Sequence, residues 1–159
     1  MEVDKVMANA IQHIGNLHHN TYLLAPLLEE FYLNLDPQPR NILQAYLLFP
    51  LLFNSNTLDQ LKIVRKDSTL HTKFKEKILL QGLQQRVFDF KDLTNSSLFL
   101  LVELGGIEIM EDQSIKVLQP QLSKSTCNIK KKKASKALAT LLNGYEIKDC
   151  YRILGINKL

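Results

Sequence analysis

Four consecutive lysines, Lys130 to Lys133, with Lys136 one turn further on, form the densest charged stretch of this 159-residue chain. They stand where a helix is expected to begin, and the positive end of a helix dipole favours acids rather than cations. Local helix stability therefore does not account for them. A run of ammonium groups suits the neutralisation of backbone phosphates, which gives a sequence-blind, salt-dependent affinity for nucleic acid. Lys124, Lys130, Lys131, Lys132, Lys133 and Lys136 are accordingly the candidate DNA-binding residues. An acidic protein surface and plain solvent are the competing destinations. No aromatic residue interleaves with these lysines, so stacking on single-stranded bases is not indicated.

Other chemistries lack their residues. His13, His18, His19 and His71 form no H-E-x-x-H, and Cys127 and Cys150 form no C-x-x-C pair, so no metal site and no disulfide framework is expected. No G-x-S-x-G surrounds a serine, and Cys127 has no neighbouring histidine to lower its pKa. The paired Gly105-Gly106 lack the downstream glycine and basic residue of a phosphate cradle. Glu103, Glu108, Glu111 and Asp112, with Lys116 nearby, could be imagined as a metal-dependent nuclease centre, but four acids around a turn read first as a solvated edge. The expectation is a protein without catalytic residues or cofactor.

The elements that must position these residues are mainly helical. With 45% hydrophobic residues the chain can bury one core, and its length suits one domain, taken here as 1–159. Leu24, Leu28, Phe31 and Leu35 recur at helical spacing and predict a helix over 21–35, stopped by Asp36-Pro37. Residues 40–53 are apolar around most of the circumference, as in a helix buried on several sides, with an irregularity expected at Pro50. Leu70, Phe74, Ile78, Leu83 and Val87 predict one long helix with Lys73, Lys75, Lys77 and Arg86 on its wet side. A further helix starts near Asp92 or Thr94 and ends at Gly105-Gly106. Residues 107–110 and 115–118 then alternate as a hairpin. Ala134, Ala137, Leu138, Leu141 and Leu142 mark another helix, and Ile147, Tyr151 and Leu154 a short last one. The fold class is mainly α with a small β-hairpin (α+β). Helix, glycine break and hairpin in that order suggest a winged-helix-like unit, with helices in 1–35 and 129–156 flanking its core.

Charge and hydropathy narrow the setting. Lysines and arginines number 20 against 16 acids, a net charge of +4, yet residues 1–36 carry five acids against Lys5. One face is thus expected to be basic, able to meet phosphate or an acidic partner surface. The longest apolar run, Ala45 to Phe53, falls well short of the roughly 20 residues of a bilayer span. The opening Met-Glu-Val-Asp-Lys is not that of a signal peptide, so the expected location is the cytoplasm, away from membranes. Leu23, Leu27 and Tyr32 stand beside the apolar stripe of the first helix and are candidate partner-binding residues, together with Tyr151 and Leu154 of the last.

Two strings carry a resemblance. Ala45-Tyr46-Leu47-Leu48-Phe49-Pro50-Leu51-Leu52-Phe53, followed by Leu58 and Leu61, is one. The other is Ala134-Ser135-Lys136-Ala137-Leu138-Ala139-Thr140-Leu141-Leu142, followed by Ile147 and Cys150-Tyr151-Arg152-Ile153-Leu154-Gly155-Ile156. Over roughly 20–156 the chain resembles the middle component of three-component ABC-ATPase systems, the small subunit encoded with an SMC-like ATPase in bacterial defence modules of the Lamassu type. That resemblance implies a non-catalytic winged-helix accessory subunit, docked on the ATPase heads and helping to hold an effector subunit, expected to be a nuclease. The hetero-oligomer would act against phage or plasmid DNA, with non-specific duplex contact as a further expectation. The alternative is a stand-alone winged-helix DNA-binding regulator reading the major groove with residues 94–104. That segment offers no arginine or lysine for base edges.

Overall fold

The computed structural model describes residues 20–37, 40–122 and 128–159. Helix α1 (Thr21–Asn34) opens on Asn20, whose side chain accepts a hydrogen bond from the Tyr22 N–H. A 3-10 turn (Ile42–Gln44), closed by a capping box on Asn41, leads into α2 (Ala45–Leu52). Pro50 lies in the last turn of α2, and the helix ends two residues later. Asn54 immediately caps a new helix, α3 (Ser55–Lys62).

The long helix expected from Leu70 is instead three short ones, α4 (Leu70–Lys73), α5 (Lys77–Leu80) and α6 (Leu83–Asp89). Gly82, at φ 70°, adopts the left-handed conformation and so interrupts the helical path before α6. Ile78, counted in the apolar stripe, is exposed. Helix α7 (Lys91–Glu103) ends in a Schellman motif: Gly105 N–H reaches the Val102 carbonyl and Gly106 N–H the Leu101 carbonyl. Strands β1 (Ile107–Ile109) and β2 (Ile115–Val117) pair antiparallel, Ile107 against Val117 and Ile109 against Ile115, with Glu108 and Lys116 opposite each other on the wet side. An isolated bridge between Asn41 and Ser114 lays the chain before the 3-10 turn against the start of β2. Helices α8 (Ile129–Leu142) and α9 (Ile147–Leu154) complete the chain, α9 ending at Gly155 in the left-handed region.

The fold is therefore mostly helical with one small antiparallel hairpin, as expected. Helix α1 packs between α7 and α8, and α2 touches α1, α3, α6, α7 and α8. One cluster of buried apolar side chains reaches from Leu24 to Ile156. Small residues at Ala134, Ser135 and Ala139 are buried in α8, and the Ser135 hydroxyl donates to the Leu27 carbonyl at 2.6 Å. Asn143 ties the far ends of the same two helices, accepting from the Asp36 N–H and donating to the Asn34 carbonyl. Helices α1 and α8 thus meet inside the core.

Candidate functional site

The lysine run divides as α8 turns. Asn128 caps the helix with its side-chain oxygen on the N–H groups of Lys130 and Lys131. Lys131 folds inward, its ammonium 4.1 Å from the centroid of the Phe53 ring, and burial lowers its pKa from the ordinary lysine value. Phe53 in turn stacks on Phe90 at 5.4 Å, next to Phe49. Lys132 faces the Glu30 carboxylate of α1 at 3.7 Å. These two cations are held by the fold itself. Lys130, Lys133 and Lys136, spaced three apart on one side of α8, remain exposed. Lys124 lies outside the described residues.

The apolar candidates divide as well. Leu27 and Tyr32 are fully buried, and so is Leu154, so none of the three can belong to a surface patch. The reason is that α1 is covered by α7 on one side and α8 on another, which hides far more than one stripe of the helix. Tyr32 also donates its hydroxyl to the Asn41 carbonyl at 3.1 Å. Leu23 remains on the surface, 44% exposed, next to Tyr22. Sequence reasoning missed the companion of that pair. Phe99 of α7, 67% exposed, shares a shallow groove with Tyr22, and Asn95, Ser96 and Glu103 complete it. No periodicity signalled Phe99, because it belongs to the side of α7 opposite the core.

Tyr151 is half-buried and donates its hydroxyl to the Leu43 carbonyl at 2.8 Å, joining α9 to the 3-10 turn. It also lines a groove of about 530 Å³ with Leu43, Ile147 and Ile156. Glu103, Glu108, Glu111 and Asp112 are exposed around the hairpin and the end of α7. Asp112 accepts from the Ser114 N–H and hydroxyl, which holds its carboxyl below the usual carboxylate range and fixes the hairpin turn. Among the described residues no three His, Cys, Asp or Glu side chains gather as metal ligands would. No described helix is long and apolar enough to cross a membrane.

One buried acid was not foreseen. Glu29 of α1 is fully buried and accepts from the N–H groups of Gln121 and Leu122, at 2.7 and 2.8 Å. It draws the irregular segment after the hairpin down onto α1. Gly106 makes room for it, since a Cβ there would stand 3.0 Å from the Glu29 carboxylate. In sequence Glu29 looks like any solvated acid beside Glu30, and its partners come some ninety residues later.

The site thus combines the lysines at the start of α8, two of them engaged by Phe53 and Glu30, with an exposed groove between Tyr22 and Phe99, and the sequence comparison supplies the family. The chain is a middle component of a three-component ABC-ATPase system. It belongs to the family described as ABC-three component (ABC-3C) system Middle Component 3, whose sequence model matches residues 8–158. No curated protein and no solved structure matches it.

Proposed function

We propose that this chain is a non-catalytic accessory subunit that docks on the heads of an SMC-like ATPase and helps to hold an effector subunit, a nuclease in this reading, in cytoplasmic defence of the Lamassu type against phage or plasmid DNA. The observation that carries the proposal is the family match, which spans nearly the whole chain. The surface is compatible with it: Tyr22, Leu23 and Phe99 offer exposed apolar contacts of the kind that protein interfaces cover. Duplex contact in this reading belongs to Lys130, Lys133 and Lys136, because Lys131 and Lys132 are engaged within the fold. We base a winged-helix reading of the region on the order α7, glycine break and hairpin, together with the Asn41–Ser114 bridge.

The stand-alone regulator finds less support. Beyond Lys91 at its start, α7 presents Asn95, Ser96, Phe99, Val102 and Glu103 to solvent, without a cation to bind a guanine edge. The test is purification of a tagged chain expressed from its own operon, followed by mass spectrometry of what stays bound. An ABC-ATPase and a third subunit retained in fixed proportion is the expected result, with no nucleotide hydrolysis by the isolated chain. Recovery of the chain alone in every such preparation would refute the proposal.

A further inference from the structure

The groove beside α9 has an apolar floor and a cationic rim. Leu43, Ile147, Tyr151 and Ile156 form the floor, and Lys148, Arg152 and Lys158 stand at its edges. Two features show that the groove is built into the fold. Tyr151 is anchored through its hydroxyl to the Leu43 carbonyl. The chain after α9 is clamped by Gln84 of α6, whose side chain accepts from the N–H groups of Asn157 and Lys158 and donates to the Lys158 carbonyl. Both walls are therefore fixed before anything binds, which reduces the ordering cost of association.

The charges on the rim select the occupant. Arg152 is paired with Asp149 at 2.6 Å, an exposed pair within one helix. Lys148 and Lys158 have no acidic partner within salt-bridge distance among the described residues. Two unneutralised ammonium groups over an apolar floor match a segment that carries carboxylates flanking apolar side chains. The groove between Tyr22 and Phe99 has no such cations and makes no such selection.

Resting on the accessory-subunit reading above, we infer that the α9 groove receives an acidic segment with apolar side chains from another subunit of the same ATPase system. Lys148 and Lys158 meet its carboxylates, and Ile147 and Tyr151 its apolar side chains. Complementary charge of this kind speeds docking and fixes its register more than it adds affinity.

The test uses the assembled complex and a zero-length carbodiimide, which joins an amine to a carboxylate only when the two touch. Links from Lys148 or Lys158 to aspartates or glutamates of a different subunit are expected. In parallel, the double variant Lys148→Glu/Lys158→Glu should slow association with that subunit about tenfold while keeping the melting temperature of the free chain. Its backbone clamp on Gln84 is untouched by either substitution. Links confined to this chain or to a second copy of it would overturn the inference. So would an absence of links combined with unchanged assembly of the variant, or a variant that loses only duplex binding. Loss of this proposal alone leaves the ATPase and third subunit still co-purifying, whereas failure of the accessory-subunit reading removes them even from the unaltered chain.

Discussion

At neutral pH Tyr32, Tyr151 and Cys150 keep protons that the core protects. Burial raises the pKa of the Tyr32 and Tyr151 phenols above the ordinary tyrosine value, and it pushes the Cys150 thiol up to about 11. In the unfolded chain a cysteine loses its proton near pH 8.5 and a tyrosine near about 10. As pH rises above about 9, the unfolded state therefore sheds protons that the folded state retains. Fewer protons on the unfolded side mean that stability falls with rising pH. The stabilisation from Cys150 is complete below about pH 8.5 and is lost as pH climbs through about 11. The urea midpoint should be lower at about pH 10.5 than at about pH 8, and Cys150→Ala should flatten the early part of that decline. Midpoints equal at the two pH values would contradict it. None of this was legible from the residues alone, because a tyrosine in a helix does not announce which carbonyl its hydroxyl will meet. Tyr32 read as a surface candidate until α7 and α8 covered its helix.

Among the elements, those marked by strong periodicity or by glycine breaks were legible: α1, α7, the hairpin, α8 and α9 all fall close to where the apolar spacing put them. The segment from Leu70 was not. Its apolar residues sit at near-helical intervals, yet Ile78 faces solvent and the turns at Phe74 and Gly82 redirect the chain. Helix α3 escaped notice because only Leu58 and Leu61 give it an apolar side. The lysine run shows the same limit for the candidate site. Helical geometry separates its members, but which of them turn inward depends on Phe53 and Glu30, contributed by distant elements. The packing of Lys131 on Phe53 should be measurable. A double-mutant cycle with Lys131→Met and Phe53→Leu is expected to give a coupling of about 0.5–2 kcal/mol in favour of the native pair. Strictly additive effects would mean that the contact contributes nothing.

For the whole molecule, the division of the lysines predicts that stability and nucleic-acid affinity respond to different substitutions. Replacing Lys130, Lys133 and Lys136 together by alanine should leave the melting temperature nearly unchanged. In the assembled complex it should weaken binding to all duplex sequences alike and reduce the salt slope by about 2 to 3, since each phosphate contact contributes roughly 0.9. Lys131→Ala should do the reverse, costing stability while leaving the slope in place. If the triple variant changes neither duplex binding at two salt concentrations nor retention of partners, the exposed lysines are solvated surface only.

The bonds that join α1 to α8, from Ser135 to Leu27 and from Asn143 to Asn34 and Asp36, also set a timetable for synthesis. A ribosome makes the N-terminal half first, at about 5–20 residues per second. Helix α1 must then wait for about a hundred further residues, many seconds of elongation, before the helix that covers its second side exists. During that interval the nascent chain carries the α8-facing side of α1 uncovered, so its yield in the cell should depend on chaperone capacity. Premature termination before Ile129 would leave a product with no route to the native core.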